Sequence, residues 1–297
     1  MGINLTGLRA LGLAKRLGFN FERCITLGRH EVFLTAEEYS FVRMGGGLGE
    51  RAPAKPFSGF QEPLLQFLGG KIIHSIDASN YEGATVVADF NKPISGVFSD
   101  RCSTYLDFGS MEHIFDVAQV VRNVKSLLDV GGNLLIVTDC DGHAGHGLYQ
   151  FSPEFFYSAF GSDNGFSNTT VFIVDDAAPR MWHLIRPPKV AKERVNIPEG
   201  RQYTIVCLAE KSDQASSIEV QQSDYVDQSW KVEGHRHLVS KKRIGALSAF
   251  RKIALMPYLR ARSLVHKLRK TRKFSLNSIA LNPDILTAEQ LRRMVNR

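Results

Sequence analysis

An α/β fold with a doubly wound, mostly parallel sheet is the class this sequence predicts, carrying a basic helical appendage at its C-terminal end. Three observations predict it. Strand-like apolar runs end in aspartate at Lys71–Asp77, Ala84–Asp89 and Ser103–Asp107. They are near-continuously apolar, as suits strands covered on both faces. A long amphipathic segment then separates Ser103–Asp107 from another apolar run, Leu134–Thr138, giving the strand–helix–strand alternation of a parallel sheet.

The elements follow in order. Residues 5–17 read as a short amphipathic helix with Leu8, Leu11 and Leu17 on one side. Cys24–Leu27 is a short strand ended by Gly28. Thr35 and Glu38 have capping-box spacing, which starts a helix running to about Val42. Gly45–Gly59 is a Gly/Pro/Ala-rich loop. Glu62–Leu68 suggests a helix leading into Lys71–Asp77. Only six residues separate Asp77 from Ala84. A helical crossover between parallel strands needs about a dozen, so a turn is expected there. Ile114, Val117, Val121, Val124 and Leu128 recur at helical spacing and predict a helix over Glu112–Leu128, stopped by Gly131 and Gly132. Ser152 caps a helix over Pro153–Phe160. Thr169–Val174 and Tyr203–Leu208 are late strands, and a last helix begins near Thr287.

With 297 residues, 43% hydrophobic and 23% charged, the chain has the composition of a soluble globular protein. It holds no apolar run of the roughly 18 residues that span a membrane. Four dispersed cysteines without CxxC spacing fit a reduced, cytoplasmic setting. The net charge of +7 is unevenly spread. Arg236–Lys273 holds 13 of the 37 Lys/Arg and no Asp/Glu, so the rest of the chain is left at −6. The expected organisation is a body over 1–210, a linker over 211–235 and the basic appendage over 236–297. Residues 241–273 form a basic amphipathic pattern with Phe250 and Leu259, suited to an anionic membrane surface at the periphery of the cytoplasm. Nucleic acid is the less favoured partner, because aromatics for base stacking are sparse. The alternative is a helix packed on the acidic body.

Several residues carry candidate chemistry. Asp77, at a strand end, suits the two hydroxyls of a ribose, or simply caps a turn. Asp89 lies near a base in the same arrangement, with Phe90 available for packing. Gly28 lets a ligand approach the backbone, or only terminates a strand. His113 is a candidate general base. Its neighbour Glu112 reads as a favourable charge at a helix start. His143 and His146 flank Gly145, with Asp139 and Asp141 close in sequence. A substrate pocket of His146, Tyr149 and Gln150, with His143 beside it, is favoured over a metal-dependent hydrolase built on the two histidines and two aspartates.

Leu106–Asp116 (LDFGSMEHIFD), a helix and then Leu127–Asp139 (LLDVGGNLLIVTD) resemble the class I S-adenosylmethionine-dependent methyltransferases. More narrowly, Thr26–His30 (TLGRH), Asp77–Asn91 (DASNYEGATVVADFN) and Gly145–Phe156 (GHGLYQFSPEFF) resemble a bacterial methyltransferase-like group. The resemblance covers about residues 22–210. It implies S-adenosylmethionine as cofactor, held by Leu27, Gly28 and Arg29, by Asp77, Ala78 and Ser79, by Asp89 and Phe90, and by Asp107 and Gly109. It implies methyl transfer to a small or saccharide-type acceptor, with His113 and His146 as catalytic groups and His143, Tyr149 and Gln150 toward the substrate. The superfamily's Gly-x-Gly-x-Gly loop is represented by Gly28 alone. No metal is expected, because Gly109 stands at the first position of the Glu-x-x-Glu-His pattern that some members use. The alternative is a fold that has lost catalysis and acts as a binding or membrane-surface protein.

Overall fold

A computed structural model describes residues 2–44, 48, 52–213, 218–226 and 278–295. Its strands are β1 (Gly2–Ile3), β2 (Arg23–Leu27), β3 (Glu31–Val32), β4 (Ile72–Asp77), β5 (Val86–Val87), β6 (Cys102–Phe108), β7 (Leu128–Asp141), β8 (Phe166–Asp175), β9 (Trp182–Ile185), β10 (Tyr203–Lys211) and β11 (Ser278–Leu281). Its helices are α1 (Leu5–Arg16), α2 (Ala36–Met44), α3 (Glu62–Leu68), α4 (Val117–Leu127), α5 (Pro153–Ala159), α6 (Pro188–Ala191), α7 (Ser223–Val226) and α8 (Ala288–Val295).

Among the described residues, nine strands form one sheet in the order β11-β9-β8-β10-β7-β6-β2-β4-β5, and β1 pairs with β3 separately. From β5 across to β7 every pairing is parallel. From β7 through β10, β8 and β9 to β11 every pairing is antiparallel. The sheet is thus mixed α/β, with a parallel half that carries the predicted doubly wound layout. The chain steps outward from β2 to β4 and β5, then returns past β2 to β6 and β7. The reversal falls between β2 and β6, and ligands of such sheets bind outside the strand ends at that switch point.

The apolar runs explain the layers. All seven residues of β6 are buried. Leu106, Leu135, Phe172 and Val206 face a core shared with Leu8 and Leu11 of α1 and Leu64 and Leu65 of α3. Tyr105, Leu134, Ile136 and Val171 face the opposite core, with Val120, Val121 and Val124 of α4 and Phe156 of α5. Alternating side chains along each strand supply both cores.

Several expectations are corrected. The helix expected from Glu112 begins at Val117, with Asp116 as its N-cap. Met111–His113 forms a separate 3-10 turn. The strand expected over Ala84–Asp89 is only Val86–Val87. The link from β4 to β5 contains no helix, and Thr85 binds Ser75 through both backbone and side chain. So short a parallel connection leaves room for only a brief pairing. Strand β9 was not foreseen. Residues 278–295, expected in the appendage, belong to the body: β11 pairs with β9. Residues 241–273, the proposed membrane-binding stretch, lie outside the described residues. No helix among the described residues is long and apolar enough to cross a membrane.

Candidate functional site

Parallel register brings the strand-end residues to one rim. Leu27 pairs with Ile76 on one side and with Asp107 on the other. The backbone N–H of Gly28 donates to Ile76 O at 2.7 Å. Gly28, Asp77, Asp107 and Gly109 therefore stand together at the switch point.

At the β4 end of this rim, Asp77 Oδ1 accepts the N–H of Ser79 at 3.1 Å in a local turn, and its second oxygen has no partner among the described residues. Ala78 and Ser79 are exposed in that turn. Asp89 is exposed, accepts from the backbone and side chain of Asn91, and lies 3.4 Å from Lys92 Nζ. Phe90 corrects the sequence reading. It is 3% exposed, in the core with Ile94 and Val120, so its ring is not presented to a ligand at the rim.

The glycine side is closed by the protein's own groups. Gly28 has φ +84° and Gly109 φ +88°, conformations that favour glycine. A Cβ at Gly28 would stand 2.7 Å from Ser110 Oγ and 3.0 Å from the His30 ring. Ser110 Oγ donates to Leu27 O at 2.8 Å and so ties the two rim loops together. Arg29 is engaged by Glu62 Oε1 at 2.7 Å and Glu82 O at 2.8 Å, with its guanidinium over the Phe60 ring. Asp107 is fully buried and accepts the N–H groups of Ser110 and Met111, which holds the 3-10 turn. Burial, and then the neighbouring Glu112, push its carboxyl well above the usual range.

Beyond that turn lies the densest cluster of titratable groups at the rim. Glu112 is fully buried. Its Oε2 accepts from Thr138 Oγ1 at 2.9 Å, while Oε1 is buried with no hydrogen-bond partner among the described residues. Burial raises it to about 7, against the lowering effect of its hydrogen bonds. His113 is exposed, and its ring stands edge-on to His146 with centroids 4.9 Å apart. Desolvation and then His146 lower its pKa, which favours the uncharged ring. His146 Nδ1 lies 2.7 Å from Asp139 Oδ2. With Asp139 accepting the Nδ1–H, Nε2 is the ring nitrogen turned away from that carboxylate. His143 stands 3.1 Å from Asp176 Oδ2 and 3.6 Å from Asp139 Oδ1. Asp176 also accepts from Thr204 Oγ1 at 2.7 Å, and burial raises its pKa.

The structure thus joins His113 and His146 and places His143 behind them through Asp139. It also adds Glu112, which sequence reasoning had assigned to helix-end electrostatics. Gln150 Oε1 accepts from His143 N at 2.9 Å, and Tyr149 OH donates to Phe115 O at 2.8 Å. A cavity of about 520 Å³ adjoins this loop, lined by Cys140, Asp141, Gln150, Phe155, Arg194 and Ile197 among others. A smaller one of about 210 Å³, by Phe19, Asn133 and Leu291, lies at the opposite strand ends.

No protein-family model matches this sequence, and no curated protein matches it. Among solved structures it is similar to phosphoethanolamine N-methyltransferase 2 of Haemonchus contortus, at 14% identity and a TM-score of 0.40, over 69% of this chain and 52% of that one. It is similar to the YcgJ protein of Bacillus subtilis, at 12% identity and a TM-score of 0.39, over 69% of this chain and 98% of that one. TehB of Haemophilus influenzae matches at 14% identity and a TM-score of 0.34, over 50% of this chain and 53% of that one. Overlaps of this extent carry no inference about activity, which rests on the rim residues themselves.

Proposed function

We propose that this protein is an S-adenosylmethionine-dependent methyltransferase acting on a small-molecule or saccharide-type acceptor. The observation that carries the reading is one rim holding both halves of such a site. Asp77 stands at the strand-end rim with one carboxylate oxygen that has no partner among the described residues, the Glu112–His113–His146 cluster stands two loops away, and the segment after His146 reaches a cavity of about 520 Å³ at Gln150. When bound, the cofactor supplies an electrophilic methyl group.

The residues fit its parts unequally. Asp77 suits the ribose hydroxyls, and Asp89 suits the edge of the base. The acceptor's hydroxyl or amine approaches the histidine pair from the exposed side of His113. Neutral His113, or His146 through Nε2, takes the proton that this group loses. Asp139 holds His146 in the required tautomer and steadies the charged ring. Positioning in the cavity supplies much of the rate effect. The methionine end meets no glycine cradle, because Ser110 and His30 occupy the space beside Gly28.

That last observation favours a second reading, in which the fold has kept its sheet and lost the cofactor. Calorimetric titration with S-adenosylmethionine and S-adenosylhomocysteine separates the two. Saturable binding that Asp77→Ala weakens by about tenfold or more, the loss of one charge-assisted hydrogen bond, is the expected result. A silent wild-type chain at millimolar ligand overturns the methyltransferase reading. The basic stretch 241–273 carries a separate proposal, peripheral binding to anionic lipid. Equal pelleting of the full chain on anionic and neutral vesicles would overturn it.

A further inference from the structure

We infer that Glu112, His113 and His146 form a binding site for one divalent transition-metal ion. The inference goes beyond the methyltransferase reading and does not depend on it; with the ion bound, His113 and His146 are ligands and do not serve as the base of that reading. One donor atom from each residue lies within 4.8 Å of the others. An ion of the zinc type sits at about 2.0–2.2 Å from nitrogen and carboxylate donors. In tetrahedral geometry its ligand atoms lie about 3.4 Å apart, so the three side chains need draw in by at most about 1.4 Å.

A second observation points to the same ligand. Glu112 is fully buried, and its Oε1 has no hydrogen-bond partner among the described residues. A buried carboxylate oxygen without a donor is costly, and a cation removes that cost. The buried Asp139 carboxyl stands beside the site, against His146. The outer shell is already in place. Asp139 Oδ2 accepts the Nδ1–H of His146 at 2.7 Å, which leaves Nε2 for metal, and Thr138 donates to the other oxygen of Glu112. Carboxylate and imidazole partners of this kind orient metal ligands.

The geometry also explains why the sequence pointed elsewhere. His143, Asp139 and Asp141 were the other members of the metal set considered. His143 is instead paired with Asp176, and Asp139 supports the histidines from behind. Two imidazoles and one carboxylate select zinc, manganese, cobalt or iron(II) over magnesium or calcium. Three protein ligands leave a coordination position open. His113 is exposed, so that position opens toward solvent and a small acceptor.

The test is calorimetric titration of the full chain, stripped with chelator and free of S-adenosylmethionine, with Mn²⁺, Co²⁺, Zn²⁺ and Mg²⁺. One site per chain is expected, with Mg²⁺ bound about 100-fold more loosely than the others. His113→Ala and His146→Ala should each weaken binding by about 100-fold, the loss of a direct ligand. Asp139→Asn should weaken it by about 10- to 100-fold, as outer-shell changes do. His74→Ala, at the distant pair with Asp100, should leave it unchanged. No binding tighter than about 1 mM, or wild-type affinity in the His113→Ala/His146→Ala double variant, overturns the site. Because His113 is exposed, its variant remains informative even if a change at buried Glu112 prevents folding. Metal binding without cofactor binding would leave this inference standing and remove only the methyltransferase reading.

Discussion

Ser110 decides how the rim differs from an open cofactor groove. Its hydroxyl reaches across to Leu27 O and stands where a Cβ on Gly28 would be. Gly28→Ala should therefore destabilise the protein by about 1–3 kcal/mol, from the left-handed backbone and the contact together. Urea denaturation checks this. Adding Ser110→Ala should recover the contact part and leave the backbone part, so the two changes should not be additive. The cysteines permit a second residue-scale prediction. Burial raises the thiols of Cys24 and Cys140 to about 12, and those of Cys102 and Cys207 rise for the same reason. Thiolate is the reactive form, so the native chain at pH 8 should react slowly with an aromatic disulfide reagent. All four thiols should react promptly once it is unfolded; prompt reaction of the native chain would contradict the burial. Single residues were unevenly legible. His113 and His146 stood out because imidazole is rare and chemically versatile. Phe90 misled because a strand-end aromatic looks the same whether it faces a ligand or the core.

At the scale of elements, the helix starts at Leu5, Glu62 and Pro153 stand where expected, and that of α4 does not. The apolar spacing from Ile114 to Leu128 is continuous, so the sequence pattern has no visible break at Asp116. The break comes from Asp107 and Asp116, which hold successive turns by different bonds. Asp107 accepts the N–H groups of Ser110 and Met111, and Asp116 accepts that of Gln119 at 2.8 Å. Glu112 is consequently not a charge at a helix start but a buried group between β6 and β7. Asp116→Ala should cost about 1 kcal/mol, the usual effect of losing an N-cap, read as a lower unfolding midpoint. The predicted caps at Thr35 and Ser152 both form, because capping chemistry is local and depends on neighbours three residues away.

For the whole molecule, the sheet's far edge is held from both ends of the chain. Arg9 of α1 is fully buried and binds both carboxylate oxygens of Asp284, with further bonds to Asn282, Arg180 O and Pro179 O. Its guanidinium also faces the rings of Phe41 and Trp182. Removing one partner leaves the other buried and unpaired. Asp284→Ala should therefore cost about 3–5 kcal/mol, visible in thermal unfolding. A joint replacement of Arg9 and Asp284 by apolar residues should cost much less than the sum of the single changes. An unchanged midpoint in Asp284→Ala would show that residues 278–295 are not integral to the body.

Sequence alone determined the features set by local pattern: the α/β class, the strand ending in Asp77 and the one ending one residue past Asp107, the turn between β4 and β5, and the caps. Each depends on periodicity or on residues a few positions apart. Only the tertiary structure decided what long-range packing decides. It returned residues 278–295 to the sheet and put Phe90 in the core. It filled the space beside Gly28 with Ser110 and His30. It also set Glu112 against His113 and His146, a meeting of two loops that are separated in sequence and brought together by the parallel pairing of β6 with β7.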